Sequence, residues 1–405
     1  MSDGGSPPTA APALTVPLRT VLLLALAAFS ASINIRATDP LLPQIAEDFR
    51  VTVGTASGMI ASFTIGYGLT QLVFGPIGDR FGKYLIVALT ALAAGTATAV
   101  CGLTHSMNEL IVARFAAGAF AAAAIPLAFA WIGDAVPFEL RQPVLARFLT
   151  AQMSGIILGQ AAGGLLGDHF GWRAVFFIIA AVHVIAGAAM LLELRLNPAA
   201  QPPGATATPG RTNLAASILA LLHRPWVRVM LAAVFFEAMA LYGALAYVGA
   251  DLRLRFGLSF SAVGLVMAVY GAGAILYALS ARKLLTRLGE KGLVLAGGVL
   301  MAVAFVALAA APSVYWVPPL MALLGLAFYM MHNTLQTSAT QMAPEARGLG
   351  VSLFALALFA GQSIGVAIAA PVMDHYGAGP IYIAAAILIP IIAVWFRAML
   401  RHRPA

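Results

Sequence analysis

The sequence predicts an all-α integral membrane protein with twelve transmembrane helices, and three features of the chain lead to this prediction. First, 61% of the 405 residues are hydrophobic and only 9% are charged, whereas a soluble domain carries about 25% charged residues. Second, apolar runs of about 20 residues, the length that crosses a bilayer, recur along the whole chain. Third, one long polar gap, residues 194–225, divides these runs into six and six, which predicts two six-helix bundles.

The predicted elements follow in chain order. The small, polar residues 1–16 lack the basic region and cleavage pattern of a signal peptide, which predicts a disordered cytoplasmic tail. The N-terminal bundle occupies 17–196, with spans at about 18–39, 54–78, 84–104, 108–131, 144–167 and 172–193. A cytoplasmic linker at 197–224 is rich in Pro, Gly, Ala and Thr without periodicity, which predicts flexibility. The C-terminal bundle occupies 225–400, with spans at about 226–250, 259–281, 291–311, 315–340, 347–373 and 378–399.

The distribution of Lys and Arg predicts the orientation of the chain, because these residues accumulate in cytoplasmic loops. With the N-terminus inside, seventeen of the 23 Lys and Arg residues fall in the cytoplasm, four fall outside, and Arg36 and Arg114 lie within spans. Both termini are therefore expected in the cytoplasm, in a monomeric, multi-pass protein of a bacterial-type inner (plasma) membrane. The net charge of +8 is then carried by the part of the protein at the inner face of the lipid bilayer, and no nucleic-acid partner is expected.

Four related segments indicate an internal repeat. DRFGKYLIV at 79 is echoed by DHFGWRAVF at 168, TRLGEKGLV at 286 and DHYGAGPIY at 374. Each copy closes the second span of a three-span unit, so each half is predicted to hold two inverted three-helix repeats. GIILGQ at 155–160 and GQSIGV at 361–366 agree, because they share an offset of 206 residues. Nested inverted repeats of this kind are typical of secondary transporters, whose substrate site lies near mid-membrane.

The chain resembles the major facilitator superfamily (MFS) along nearly its whole length. The loop after span 2 matches the superfamily's motif at Gly75, Asp79, Arg80, Gly82 and Lys83. Arg114 with Gly118 resembles a motif linked in that family to proton coupling. Span 5 resembles the glycine-rich motif of the antiporter branch at Gly155, Gly159, Gly163 and Gly164, with Gln160 where that branch usually has Pro. RATDPLLPQIAEDF at 36–49 resembles the first-span exit of drug-efflux-like members, so the resemblance implies an MFS fold of the bacterial drug:proton antiporter branch.

The charged loop after span 2 is predicted to be a conformational latch. Asp79 lies at a helix end, where a carboxylate can cap the N-terminus of span 11 near Arg347. The resemblance implies that such a latch favours the outward-facing state; the alternative is an ordinary positive-inside turn. Asp134 and Arg141 are expected to join the same charge network. The equivalent position of the second half is Thr286, so no second latch is expected there.

Glu237 is the strongest candidate for proton coupling. It lies about eleven residues into span 7, about 16 Å deep, and therefore near mid-membrane. An ionisable group at that depth costs at least about 2.5–3.5 kcal/mol, so its presence indicates function. Its apolar surroundings favour the protonated carboxyl, which is expected to release a proton when a cationic substrate arrives. The structural alternative is a Glu hydrogen-bonded to a neighbouring helix.

A second group of ionisable residues lies near the outer end of span 1. Arg36 and Asp39 are spaced for a local ion pair, with Asn34 beneath them. Arg114 enters span 4 from the same side and is expected to compete for Asp39, which would couple protonation to opening. A structural ion pair is the alternative. If Arg36 faces the cavity, it is expected to bind a substrate carboxylate.

Further polar residues are predicted to line a substrate site. His332 can titrate near neutral pH, so it is expected to relay protons or bind substrate with Asn333, unless it is satisfied by a helix neighbour. A mixed polar and aromatic pocket for an amphipathic molecule is expected from Tyr67, Gln71, Gln160, Tyr242, Tyr270 and Gln362. Glycines of spans 5 and 11, including Gly361 and Gly365, are predicted to allow close helix packing.

The motifs that are absent from the sequence narrow the function. There is no GxxxxGK[ST], HExxH or CxxC motif, and the single Cys101 excludes a disulfide within the chain and every multi-Cys metal site. The protein is therefore predicted to be no enzyme and to need no cofactor or metal, only a proton gradient. Channels use rings of identical groups, unlike these asymmetric charges. The sequence favours proton-coupled efflux of a small amphipathic or cationic compound by alternating access; the alternative is proton-coupled transport of a small organic anion or metabolite.

Overall fold

The computed structural model describes residues 17–197, 200 and 214–403, and these are almost entirely helical. The predicted tail, 1–16, and most of the linker before residue 214 lie outside the described residues. The N-terminal segment contains α1 Leu18–Arg36, α2 Leu42–Phe49, α3 Val53–Phe81, α4 Lys83–Leu103, α5 Met107–Ala121, α6 Ala124–Ala135, α7 Phe138–Phe170 and α8 Trp172–Leu196. The C-terminal segment contains α9 Leu214–Leu222, α10 Pro225–Leu245, α11 Val248–Phe256, α12 Phe260–Ala310, α13 Val317–Ala339, α14 Arg347–Tyr376 and α15 Gly379–Met399.

The helices have the length and composition of membrane spans. Ten helical stretches of the described chain are long and apolar enough to cross a bilayer, which makes this a multi-pass membrane protein. The 33-residue α7, which contains predicted span 5, is not among the ten. The 51-residue α12 covers two predicted spans, and its backbone leaves the helical region at Gly289. Span 4 is divided into α5 and α6, because Pro126 has no N–H with which to continue the helical ladder.

The ends of the helices lie on two faces. On one face, which we call the terminal face, Arg19 of α1 pairs with Glu193 of α8 at 2.8 Å, and Arg403 pairs with Glu290 at 3.2 Å. On the other, the opposite face, Asp48 of α2 pairs with Arg173 of α8. Within the N-terminal segment α1 packs on α7 and α4 on α8, while in the C-terminal segment α10 packs on α14 and α12 on α13. The two segments meet where α3 lies along α14 and α7 along α12.

Glycines lie where these helices approach most closely. A Cβ atom on Gly163 would collide with the backbone of Ala37 in the turn after α1, and one on Gly365 would collide with Met239 of α10. Gly164 faces Gly264 where α7 meets α12, so this contact joins the two segments. The remaining members of the set, Gly155, Gly159 and Gly361, face the backbone of α1 or α10 within their own segment. Small residues at such positions let helix backbones pack directly against each other.

The four related segments share one backbone feature. Their glycines, Gly82, Gly171, Gly289 and Gly377, all have positive φ, between 64° and 98°, at or within one residue of the end of a helical run. L-residues avoid this region because of a clash with Cβ, so glycine is the residue that can end these helices here.

The linker prediction is partly wrong. Residues 214–222 form α9, although the whole of 197–224 was predicted to be a flexible linker. The Pro- and Gly-rich sequence ends at Asn213. The segment that follows, LAASILALL, consists mostly of residues with high helix propensity.

Candidate functional site

An ion pair lies at the end of α1, between the two segments. Arg36 donates from Nη1 to Asp39 Oδ2 at 3.3 Å, as their spacing predicted, and both side chains are buried. The guanidinium also lies 4.4 Å from the centre of the Tyr242 ring in α10, so it contacts the C-terminal segment. Among the described residues, Asp39 Oδ1 has no hydrogen-bond partner.

Arg114 has a different partner from the one predicted. Its Nη1 donates to Asn34 Oδ1 at 2.6 Å and its Nη2 to the Asn34 carbonyl at 3.2 Å, and no hydrogen bond to Asp39 is formed. The guanidinium also lies 4.0 Å from the ring centre of Phe63. Asn34 is fully buried and donates to Thr98 at 2.7 Å, so it positions Arg114 and does not face a cavity. In this structure Asn34 holds Arg114 and Arg36 holds Asp39.

Glu237 and His332 form a buried pair. His332 Nδ1 lies 2.7 Å from Glu237 Oε2, which joins α10 to α13 near the middle of both helices. Glu237 is completely buried, and within the described chain its Oε1 has no partner. The sequence marked both residues as candidates but gave no indication that they touch.

Aromatic rings connect this acid–histidine pair to Arg36. Phe328 stacks on His332 with ring centres 4.6 Å apart, and it also contacts Tyr242 at 5.8 Å and Tyr270 at 6.2 Å. Because the Arg36 guanidinium lies over the Tyr242 ring, an unbroken series of contacts links the two charged pairs. We call Arg36, Asp39, Glu237, Tyr242, Tyr270, Phe328 and His332 the central cluster. Sequence reasoning missed Phe328, since a phenylalanine in an apolar span carries no distinguishing signal.

Of the other predicted pocket residues, Gln160 lies beside Asp39 of the central cluster, and the rest lie outside it. Tyr67 packs against Phe359 of α14 with ring centres 4.5 Å apart, across the contact between the segments. Gln160 and Gln362 are buried in α7 and α14. Asn333, next to His332, is exposed and donates to Tyr277 at 3.0 Å, so it faces away from the buried acid–histidine pair.

A cavity of about 770 Å³ separates the two segments at the terminal face. Gln71, Gly75 and Asp79 of α3 line one side of this terminal cavity. Arg347 and neighbouring residues of α14 line the other side, together with the end of α13.

The predicted latch is not closed in this structure. Asp79 pairs with Lys83 at 2.9 Å, within its own segment, although Arg347 lines the same terminal cavity. Lys83 also pairs with Asp134 at 2.7 Å, so Asp134 belongs to the network as predicted.

The remaining predicted members behave differently. Arg141 donates to the backbone carbonyls of Gly133 and Val136, so the prediction that it joins the carboxylate network is wrong: it caps the end of α6 instead. Arg80 lies over the ring of Phe81.

The helix-rich architecture and the buried charges between its segments define a membrane transporter. The Major Facilitator Superfamily model matches residues 24–345 and 230–405, and the chain belongs to this family, whose members are transporters and not enzymes. An uncharacterised MFS-type transporter of Bacillus subtilis, YceJ, is 27% identical over 84% of this chain and 86% of its own length. The multidrug resistance protein MdtG of Escherichia fergusonii is 32% identical over 161 residues, 38% of this chain and 39% of MdtG.

Solved structures agree on the fold. A bacterial homologue of the human lysosomal transporter Spinster, in an inward-facing and unoccupied conformation, aligns with a TM-score of 0.77. It shares 18% identity, and the alignment covers 96% of this chain and 99% of that protein. The nucleoside transporter NupG aligns with a TM-score of 0.75 at 15% identity, over 94% of this chain and 99% of NupG.

Proposed function

We propose that this protein exports a small amphipathic or cationic compound in exchange for protons, by alternating access. The observation that carries the proposal is the buried Glu237–His332 pair, which contacts an aromatic surface formed by Phe328 and the neighbouring tyrosines. Similarity to multidrug resistance proteins and to a bicyclomycin resistance protein homologue of Haemophilus influenzae supports the efflux direction.

The proposed architecture is twelve spans in two six-helix bundles, 17–196 and 225–400, each made of two inverted three-helix repeats. The ten apolar stretches count α12 once and leave out α7. Because α12 holds two spans that meet near Gly289, and α7 adds one more, the total is twelve. The positive φ of the four motif glycines supports the repeat, because the same turn recurs at each of the four positions.

The terminal face is proposed to be cytoplasmic, in a bacterial-type inner membrane. Basic residues are concentrated there, as expected for cytoplasmic loops. The terminal cavity then opens to the cytoplasm, and the structure represents an inward-open state. We propose that the protein acts as a monomer in the bilayer, with no cofactor other than the proton gradient.

The chemistry of the central cluster suggests how exchange is achieved. In the proton-loaded state Glu237 and His332 together hold the proton, and the buried pair is not negatively charged. A cation that stacks on Phe328 and Tyr242 gains cation–π attraction and favours the ionised carboxylate, so its binding promotes proton release. Substrate and proton therefore compete for the same negative charge, which is the requirement for exchange.

Arg36 supports a second candidate function, transport of a small organic anion or metabolite. Its guanidinium lies over the Tyr242 ring of the other segment, and among the described carboxylates it is paired with Asp39 only. A substrate carboxylate that displaced Asp39 would find a planar, bidentate partner.

One experiment separates the two functions. Inside-out vesicles with an imposed pH gradient and a pH-sensitive dye would receive a panel of lipophilic cations and then a panel of small carboxylates. Gradient collapse by cations, only in vesicles that contain the protein, is expected for efflux. A response to carboxylates alone would overturn the efflux proposal and favour Arg36 as the substrate anchor.

A further inference from the structure

Two aspartates of the repeated motif bridge the segments on the opposite face. Asp168, at the end of α7, accepts from the Ser261 backbone N–H at 3.2 Å and from the Ser261 hydroxyl at 2.7 Å. Ser261 is the second residue of α12, in the other segment. The carboxylate of the N-terminal segment therefore caps the first turn of a helix of the C-terminal segment.

Asp374 makes the reciprocal contact. Its Oδ1 accepts from the Gly54 backbone N–H at 2.7 Å, and its Oδ2 accepts from the Thr52 hydroxyl at 2.6 Å. Gly54 is the second residue of α3, so each aspartate binds the same position of its partner helix. We call the Asp168–Ser261 and Asp374–Gly54 contacts the two clasps.

Each clasp has a clear physical basis. The first N–H groups of a helix have no partner within the helix and carry a partial positive charge. A carboxylate accepts their hydrogen bonds in a charge-assisted contact. Because the donor and acceptor belong to different segments, the contact exists only while the segments are together on this face.

The related aspartate on the terminal face, Asp79, does not bridge the segments. Asp79 occupies the same position of the repeat as Asp168 and Asp374, but it is bonded to Lys83 of its own segment and its side chain is 57% exposed. The terminal cavity separates it from α14. The repeated aspartate thus bridges the segments on the closed face and does not bridge them on the open face.

We propose that Asp168 and Asp374 are positioning residues of the transport cycle: they hold the opposite face shut while the terminal cavity is open. Both clasps must break before substrate can leave through the opposite face. This inference rests on the alternating access of the proposed function, but not on the identity of the substrate or on proton coupling. The chain then has two such aspartates on the opposite face and one on the terminal face, since Thr286 replaces the fourth.

The clasps do not act alone. Tyr247 donates to the Val366 carbonyl at 2.8 Å and its hydroxyl lies 2.7 Å from the Ser57 hydroxyl, which adds a further bond between the segments nearby. Loss of one clasp is therefore expected to shift the balance between states and not to open the face completely.

The test is a pair of distance measurements on the full chain in lipid nanodiscs, without substrate. Cys101 is replaced by Ser, and spin labels are attached at Asn108→Cys and Tyr315→Cys, two exposed positions of the opposite face. A second sample carries labels at Arg195→Cys and Arg401→Cys on the terminal face. Asp168→Asn, Asp374→Asn and the double variant are compared with the parent chain.

Each single variant is expected to raise the ratio of outward-open to inward-open molecules about three- to tenfold, and the double variant more. The opposite-face distance should lengthen as the terminal-face distance shortens. A merely structural cap would broaden both distances without this reciprocal change. Unchanged distances in the double variant, or broadening alone, would overturn the proposal.

A matched control is Asp48→Asn. Asp48 is also an exposed carboxylate of the opposite face, but its ion pair is with Arg173 of its own segment, at 2.5 Å. It is expected to leave both distance distributions unchanged. The conservative Asp168→Glu variant should restore the parent ratio at least in part, because it keeps the carboxylate. The distances are measured without a proton gradient. If proton-coupled efflux fails in vesicles, the distances therefore still test the clasps independently.

Discussion

Glu237 is a carboxyl group with no exposed surface, and within the described chain one of its oxygens has no hydrogen-bond partner. Burial of a polar group without a partner is costly, and a single contact to His332 does not satisfy both oxygens. An amide or an apolar side chain would fill the site at lower cost. The retention of an ionisable group therefore favours a role in which the proton itself is bound and released.

Glu237→Gln tests that role, because glutamine keeps the shape of the side chain and cannot ionise. Proton-linked transport is expected to fall to the level of vesicles that lack the protein, while insertion and the elution profile in detergent stay unchanged. The control is His183→Gln, since His183 is also buried but, among the described residues, bonds only to the Ile179 carbonyl of its own helix. Proton coupling that survives in Glu237→Gln would remove Glu237 from the mechanism.

Arg114 allows a second prediction at this scale. Arg114→Ala leaves both Asn34 oxygens without their donor and removes a large buried side chain, so a loss of about 2–4 kcal/mol in unfolding free energy is expected. Initial transport rates should fall about tenfold or more, because a shift of α1 by a few tenths of an ångström would also displace Arg36.

Arg173→Ala is the matched comparison. Arg173 pairs with Asp48 at the surface and is 41% exposed, and such pairs contribute about 0–1 kcal/mol. Melting temperature and initial rate are measured for both variants. Equal losses in the two would contradict a central role for Arg114.

At the scale of elements, the positions of the helices could be predicted well and their partners could not. The apolar runs predicted spans 259–281 and 291–311, but the connection between them is helical up to the turn at Gly289, since its Lys, Arg and Leu residues are good helix formers. Glu237 and His332 could each be marked from their depth alone. Their pairing depends on how α10 rotates against α13, and 95 positions of sequence separate them.

Gly289 gives a prediction about the turn inside α12. At φ 64° an added Cβ is strained, so Gly289→Ala is expected to lower the unfolding free energy by about 1–2 kcal/mol. Gly133→Ala in α6 is the control, because the glycine is helical there and nothing lies within 4 Å of the added carbon. Thermal unfolding in detergent should show a lower midpoint for the first variant only. Equal midpoints would mean that the turn can adopt a conformation open to alanine.

At the scale of the whole molecule, the contacts between the segments are unevenly distributed over the two faces. The clasps and the Tyr247–Ser57 hydrogen bond join the segments on the opposite face. A cavity separates them on the terminal face, where Asp79 pairs within its own segment. The equilibrium between the two openings therefore depends on carboxylates at both faces, which act in opposite directions.

Asp79→Asn combined with Asp168→Asn tests this opposition. If Asp79 caps α14 in the outward-facing state, Asp79→Asn alone should lower the outward-open fraction about threefold, because the amide loses the charge that a helix N-terminus favours. Asp168→Asn alone should raise it by a similar factor. The two sites are distant and share no partner, so their free energies should add and the double variant should return close to the parent ratio. The spin-label pair on the opposite face measures all four chains. A double variant that matches either single variant would show that only one of the two aspartates biases the equilibrium.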